Sequence, residues 1–532
     1  MFCANDLTTA EIFDKICNQR GINRPDEFLN PREDWILDPF ELKNMEIAVK
    51  MTEHHRNHDI GVLFDTDADG ICSGTEVTQE LQNLGFKVKT FINGGKAHGL
   101  IQGDQINVIK SSGIKLLIIP DSLDSTIDGY KEIHDAGIDI ILLDHHDVRI
   151  NYPDDIVTLV TSNVDYDNPQ LSGAGVALKY CIALDELYNT HYSDDLYDLA
   201  AIGILADVSD VYYSMENRAI IHKGLNNLKN LAVKKILGSY EFNSKSVLFS
   251  IAPAINACVR TNATELARDF FLETENKRLL AMRKAIEAQK ELQDEEKKQL
   301  LDSVRQQLDS QSESDFGYAI IQTKLGVSGL IGNTVLDEYN KPIFIFNDTG
   351  NDVFIGSMRS VKYGNFADIA NSTGLISCKG HGEASGVEIR KSDLDEFVKK
   401  LTEILKNTPV IDDGVSADQY DFEIDMDYID RDFSDLMSKI NRITGNGFKP
   451  VTVKVNNITG YKVGSFKDGK HLTLSPEGTN IMVIDWNTTE DFDEWEFHSI
   501  SDDVFSAICE VEHGYFGKQF TIKLIVKKFI WE

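Results

Sequence analysis

No stretch of the sequence approaches the ~20 consecutive apolar residues of a membrane-spanning helix. The first residues, MFCANDLTTAEIFDK, carry acids where a secretory signal needs a basic and then an apolar stretch. A cytoplasmic protein that does not engage membranes is the expectation. The seven cysteines are odd in number, scattered, and nowhere arranged as C-x-x-C. That pattern argues against a disulfide framework and against a thiolate zinc site, and leaves reduced thiols. Internal repeats and low-complexity blocks are also missing. Positive charge is in deficit: 53 Lys and Arg against 86 Asp and Glu give a formal charge of -33. Such a balance argues against indiscriminate coating of nucleic acid. It leaves room for an enzyme acting on nucleic-acid ends, because divalent metals and a local basic groove can hold phosphate inside an acidic protein.

What is present is length and a clear alternation of elements. A chain of 532 residues can hold roughly three to four domains, each with its own core. Residues 1–58 mix helical spacing with a Pro-containing loop. From 59 to 263 short apolar runs alternate with helical spacing: "IGVLF" (60–64), "KVKTFI" (87–92), "KLLIIP" (115–120) and "DIILL" (139–143). Strands separated by helices predict a mainly parallel sheet covered on both faces. A charged segment with sparse apolar residues, 264–310, reads as a solvated connecting helix. A smaller α/β domain is predicted over 311–408, with "YAIIQT", "PIFIFN" and a glycine-rich turn, "CKGHGEASG". The remainder, 409–532, is mostly β, with short strands and turns that suggest a small barrel or sandwich.

The stretch "FDTDADGICSGTE" poses the functional question, because Asp65, Asp67, Asp69, Gly70 and Glu76 satisfy a calcium-loop pattern. A calcium loop of that kind follows a helix, and the residues before Asp65 read as a strand. Asp121 follows "KLLIIP", and Asp144, His145 and His146 follow "DIILL". In an open parallel sheet the carboxyl ends of the strands share one edge, where ligands bind. Carboxylates and imidazoles remote in sequence are therefore expected to converge there. A fourth element, "LAAIGILADVSDV", reads as a buried helix ending near Asp207, and a carboxylate after so apolar a run is costly to bury unless paired or metal-bound.

With these motifs in order, the chain resembles the DHH phosphoesterases, and among them the RecJ-type single-strand exonucleases. "DTDADG", "PDSLDS", "LDHHDV" and "ILADVSDV" look like the family's four motifs. "LSGAGVALKY" (171–180), "SIAPAINACVR" (250–260), "GSMRS" (356–360) and "KGHGEASG" (379–386) are similar to further RecJ segments, and the tail to a RecJ nucleic-acid-binding OB fold. Lys379, Ser385, Cys258 and Val259 depart from the usual pattern, which bears on substrate preference; every acidic and histidine position is filled.

The resemblance implies a parallel-sheet DHH domain, a connecting helix, a smaller α/β DHH-associated domain and an OB-like domain. It implies two divalent cations, Mn²⁺ or Mg²⁺, with Asp121 bridging, Asp69, His145 and Asp207 at one position, and Asp67 and Asp65 at the other. Asp144 would orient an imidazole, and His146 would meet the scissile phosphate or protonate the leaving oxygen. Asn256, Arg260, Arg359, Ser360 and His381 would hold substrate phosphates. Lys454, Tyr461, Lys462, Phe466, Lys467 and Lys470 interleave bases and aromatics as a strand-tracking surface would. The expected activity is 5′→3′ hydrolysis of single-stranded DNA to mononucleotides in repair, recombination or replication, by a monomer, with single-strand-binding or helicase proteins as further partners. The alternatives are a phosphodiesterase for short oligonucleotides or cyclic dinucleotides, and an inactive scaffold in a replication assembly.

Overall fold

Five strands form the sheet that carries the motifs: β1 (Asp59–Phe64), β2 (Lys87–Ile92), β3 (Leu116–Pro120), β4 (Asp139–Asp144) and β5 (Thr158–Thr161). The computed structural model describes residues 1–93, 104–124, 126–148, 150–411, 419–466, 470–486, 488, 495, 504–516 and 519–531. All neighbours in this sheet run parallel, in the order β2-β1-β3-β4-β5. β3 is buried at every position, and β1 and β4 at all but their first residue, because helices cover both faces. The order reverses between β1 and β3, so the crevice outside their carboxyl ends is the natural ligand site of such a sheet. Asp65 is the first residue beyond β1, Asp121 the first beyond β3, and Asp144 the last of β4.

The segment read as one solvated connector is two helices, Thr264–Leu272 and Asn276–Asp309. The longer one is not wholly solvated. Leu279 and Ile286 enter the core of the first domain, whereas Val304 and Leu308 enter a second core under the next sheet. Its sparse apolar residues concealed this, because they serve two different cores in succession.

The second sheet comprises β6 (Gly317–Ile321), β7 (Ile343–Asp348), β8 (Val353–Arg359), β9 (Ile376–His381) and β10 (Ala384–Arg390), in the order β6-β7-β8-β10-β9. The glycine-rich "CKGHGEASG" is mostly strand here: β9 and β10 pair antiparallel from Ala384↔His381 to Ile389↔Ile376. Ile355, Ser357 and Arg359 share one face of β8, while Phe354 and Met358 point into the core, as the two-residue period of a strand requires.

The tail is β-rich, as expected. Its strands, β11 (Phe422–Asp425), β12 (Val453–Ile458), β13 (Tyr461–Phe466), β14 (His471–Pro476), β15 (Ile481–Asp485), β16 (Phe505–Phe516) and β17 (Gln519–Trp531), form one seven-stranded sheet ordered β11-β12-β16-β17-β15-β14-β13. That is two strands more than the five of an OB barrel. The N-terminal segment clasps this sheet: Phe2 stacks on Phe422 at 5.0 Å, and Arg20 makes a bidentate pair with Asp421 at 2.8 and 2.7 Å. Arg218, fully buried, donates to the carbonyls of Phe28, Val211 and Ile443 and so joins three parts of the chain. Among the described residues no helix is long and apolar enough to cross a membrane.

Candidate metal centre

The first motif makes a turn from strand to helix. Asp67 caps the helix Ala68–Asn83, its side chain accepting from the Gly70 N–H at 2.9 Å. A strand before Asp65 and a helix start at Ala68 remove the calcium-loop reading. Asp121 leaves β3 with φ +58, a left-handed conformation that a non-glycine residue adopts only when its surroundings impose it. Its N–H donates to the Leu143 carbonyl at 2.8 Å, which ties the turn to β4.

The ligand atoms then fall into three groups, each with all its atoms within 4.8 Å of one another: Asp65, Asp67 and Asp121; Asp69, His145 and Asp207; and Asp121, His145 and His146. His145 is central to the packing. Its Nε2 lies 3.2 Å from Asp121 Oδ1 and 3.8 Å from Asp69 Oδ2, and its Nδ1 lies 3.7 Å from Asp207 Oδ2. Asp207 caps the end of the helix Tyr197–Ala206 and accepts from Ser209 Oγ at 3.0 Å. Asp69 is wholly buried at the N-terminus of the helix Gly173–Tyr188, accepting from Ser172 Oγ and from the N–H groups of Gly173 and Ala174 at 2.9, 2.7 and 2.9 Å. Those donors and the helix dipole favour its anion.

Three glycines make room for these carboxylates. A Cβ at Gly70 would lie 2.4 Å from Asp65 Cβ, one at Gly173 would lie 2.5 Å from Asp121 Oδ1, and one at Gly203 would lie 2.2 Å from Asp69 Oδ1. Sequence reasoning quoted the segments holding Gly173 and Gly203 without reading the glycines, and it missed Ser172. It also missed Asn93, buried beyond β2, whose Nδ2 donates to Ser122 Oγ at 3.2 Å and to Asp65 Oδ1 at 3.5 Å.

The cluster fits divalent cations. Asp121 is buried, and its Oδ1 makes no hydrogen bond among the described residues, its near neighbour being the His145 ring. Burial and the charges of Asp69, Asp67, Asp65 and Asp144 push Asp121 well above the usual carboxylate range; burial, Asp207 and Asp67 do the same to Asp69. So many acids in one dry site call for compensating positive charge. Carboxylates and imidazoles without thiols match Mn²⁺ or Mg²⁺ better than zinc. These acidic and histidine groups are positioned to hold metal.

Asp144 stands behind the cluster. Its Oδ1 accepts from the His145 and His146 N–H groups, both at 2.7 Å, and lies 2.9 Å from His146 Nδ1. Burial raises the Asp144 pKa, but the hydrogen bond and charge of His146 and the charge of His145 outweigh it and hold the group below its ordinary value. Burial pulls His146 down, yet the Asp144 bond and the charges of Asp144, Asp207 and Asp69 push it up to about 9.

A cavity of about 1530 Å³ has a lining that includes none of the metal-cluster residues. Arg260, at the end of the helix Ala252–Arg260, and Arg359, at the end of β8, both line it. Arg260 donates to Gln293 Oε1 at 3.2 Å, and Arg359 Nε to Asn333 Oδ1 at 2.5 Å. Burial lowers both guanidinium pKa values, Arg260 also through the charge of Arg359. Asn256 is half-buried one turn before Arg260. Ser360 does not line the cavity: it is 4% exposed, its N–H donates to the Glu383 carbonyl, and Ser357 takes the place expected for it. Gly380 and Lys379 line the cavity, while the His381 side chain lies outside the described residues.

The tail corrects other expectations. Tyr461 is buried, edge-on to Trp495 and Phe505, and so belongs to the core; strand alternation turned it inward. Phe466 is half-buried, packing on His471 and Trp486. Lys454 lies near Glu423 at 4.0 Å, and exposed Lys462 pairs with Glu477 at 3.2 Å. Lys470 is exposed, and Lys467 lies outside the described residues.

Residues 59–204 match the model of the DHH family, N-terminal domain. The chain carries a DHH-family domain. It is 26% identical over 460 residues to a Bacillus subtilis protein provisionally named SPbeta prophage-derived single-strand DNA-specific exonuclease YorK, covering 79% of this chain and 78% of that one. To the single-stranded-DNA-specific exonuclease RecJ of Bacillus subtilis it is 25% identical over 487 residues, covering 87% of this chain and 61% of RecJ. The crystal structure of RecJ from Thermus thermophilus in complex with Mn²⁺ superposes with a TM-score of 0.74 at 19% identity, over 97% of this chain and 75% of that one. Its Mg²⁺ complex gives a TM-score of 0.68 at 19% identity, over 97% and 74%. The fold is RecJ-like.

Proposed function

We propose that this protein is a metal-dependent exonuclease that hydrolyses single-stranded DNA in the 5′→3′ direction to 5′-mononucleotides, in DNA repair, recombination or replication. The observation that carries the reading is the meeting of Asp65, Asp67, Asp69, Asp121, His145 and Asp207 at the carboxyl edge of the sheet. Asp121 groups with Asp65 and Asp67 on one side and with His145 and His146 on the other, so it would be shared between two cations, with Asp69, His145 and Asp207 holding one and Asp65 and Asp67 the other. Two divalent cations, when bound, would supply a hydroxide and offset the charge on the phosphoryl oxygens.

The chain's own residues do the rest. Asp144 aims the His146 ring, which places His146 to give a proton to the leaving oxygen. Arg260, Arg359 and Lys379, which share the lining of one cavity, hold phosphates of the strand there. Asn256 extends that track along its helix. The domains so employed are a helical segment (1–58), the DHH domain (59–263), the connecting helices (264–310), a DHH-associated domain (311–408) and the β-rich tail (409–532).

The test incubates long single-stranded DNA, a dinucleotide and duplex DNA with Mn²⁺ and either wild type or Asp121→Ala. Metal-dependent digestion of the long single strand by wild type alone supports the proposal. Digestion of the dinucleotide alone points to a short-oligonucleotide phosphodiesterase, and no digestion of any of them to a scaffold.

A further inference from the structure

The proposed phosphate contacts account for one end of the cavity only. Along β8 the cleft face reads Ile355, Ser357, Arg359, and the antiparallel register sets Glu388, Gly386 and Ala384 of β10 beside them in that order. Arg359 therefore stands two same-face steps, ~13 Å, from Ile355. Charge changes over that distance. Arg359 lines the cavity at one end of β8, Lys379 lies level with Ser357 at the middle, and Glu388 stands directly beside Ile355 at the other end. A phosphate is attracted to the first end and repelled from the second.

The cavity lining is also partly apolar. Ile355 is 43% exposed, and Leu292, on the helix Asn276–Asp309, is 45% exposed, yet both line this one cavity. Single exposed aliphatic side chains are ordinary on a protein surface. Two of them from separate domains, facing one recess that also holds two half-buried arginines, are not scattered surface. Leu292 directly precedes Gln293, the residue that fastens Arg260. The positions of the apolar wall and of a phosphate-holding arginine are thus coupled through one turn of helix. Glu296, one turn further, adds a second carboxylate to the lining.

We propose that Leu292 and Ile355 form the two sides of a nucleobase grip, which takes a base of the strand whose phosphates lie on Arg260 and Arg359. The proposal rests on the exonuclease reading above. Flat, weakly hydrated base faces suit aliphatic walls, and the exocyclic amines of adenine, guanine and cytosine suit the carboxylates of Glu388 and Glu296. Such a grip senses the presence of a base more than its identity, because every base offers an apolar face.

The experiment compares a 5′-phosphorylated 20-mer single-stranded DNA with copies carrying one abasic residue at the first, second or third position from the 5′ end. Each is digested with Mn²⁺ by the full-length wild type, Leu292→Ala, Ile355→Ala and Leu292→Phe. The expected result is that an abasic residue at one of these positions raises the wild-type KM roughly three- to tenfold. Both alanine variants lose that discrimination, and Leu292→Phe keeps it. If wild type digests the unmodified strand but ignores the abasic residues, or the alanine variants discriminate as wild type does, the grip is overturned and the exonuclease reading stands. If wild type leaves the unmodified strand intact, both are overturned.

Discussion

His146 Nδ1 lies 2.9 Å from Asp144 Oδ1, and that same oxygen accepts the backbone N–H groups of both His145 and His146. One carboxylate thereby shapes the turn at the end of β4 and sets the direction of the imidazole beside the metal ligands. Asp144→Asn keeps the shape and size but turns an acceptor of three bonds into a poorer one. The variant is expected to lose about 10- to 100-fold in kcat, with bound metal retained. Steady-state kinetics with Mn²⁺, paired with metal analysis of the purified variant, checks this; unchanged kcat would count against Asp144 as the orienting group.

Asp121 predicts opposite effects on stability and on metal binding. Its Oδ1 is buried near four other acids, without a hydrogen bond among the described residues. Asp121→Asn removes a charge that metal-free protein can only tolerate by protonation. Without metal the variant should melt at least as high as wild type, and the rise in melting temperature that Mn²⁺ gives wild type should vanish. Thermal melts with chelator and with Mn²⁺ decide it. A variant that Mn²⁺ still stabilises as it does wild type would remove Asp121 from the metal site.

Gly203 lies where the helix Tyr197–Ala206 presses on Asp69, leaving no room for a side chain: a Cβ would meet Asp69 Oδ1 at 2.2 Å and Ala174 Cβ at 2.4 Å. Gly203→Ala must therefore push Asp69 from its seat at the start of the helix Gly173–Tyr188. About 1–3 kcal/mol of stability should go, together with Mn²⁺ affinity. Denaturant unfolding and calorimetric titration report the two losses; a variant with native stability and affinity would show that the helices can part without cost.

Glu80 supplies a pH test away from the metals. It is fully buried on the helix Ala68–Asn83, and burial together with the charge of Asp185 pushes its pKa from the ordinary 4.5 to about 9. A group whose folded-state pKa is raised stabilises the fold fully below its unfolded pKa, and that contribution is lost as pH climbs through the folded one. Wild-type stability should therefore decline between about pH 4.5 and pH 9. Glu80→Gln should flatten that decline. Melting curves across this range measure it, and parallel curves for the two proteins would contradict the assignment.

The parts of the fold that could be read in advance are those whose partners hardly matter. β1, β3 and β4 are apolar runs buried on both faces, so composition alone announces them, and a polar residue directly after such a run must sit at the sheet's carboxyl edge. That is why Asp65, Asp121 and Asp144 were visible. The glycines at 173 and 203 were not, because their role is set by which carboxylate arrives opposite them. Tyr461 was misread for a related reason: alternation along β13 offers two faces, and only the packing of Trp495 and Phe505 decides which is inner. Ser360 failed by a single position of strand register, the cleft face being carried by Ser357 and Arg359.

The helix Asn276–Asp309 is rooted in one core by Leu279 and Ile286 and in another by Val304 and Leu308. Arg260 leans on its middle through Gln293, while Arg359 belongs to the far sheet. The gap between the two guanidinium groups is thus gauged by this α-helical beam together with a direct tie, the Gly326 N–H of the far domain donating to the Arg260 carbonyl at 2.9 Å. Like the jaws of a clamped caliper, they separate when the beam bends or an anchorage slips and that backbone tie gives way.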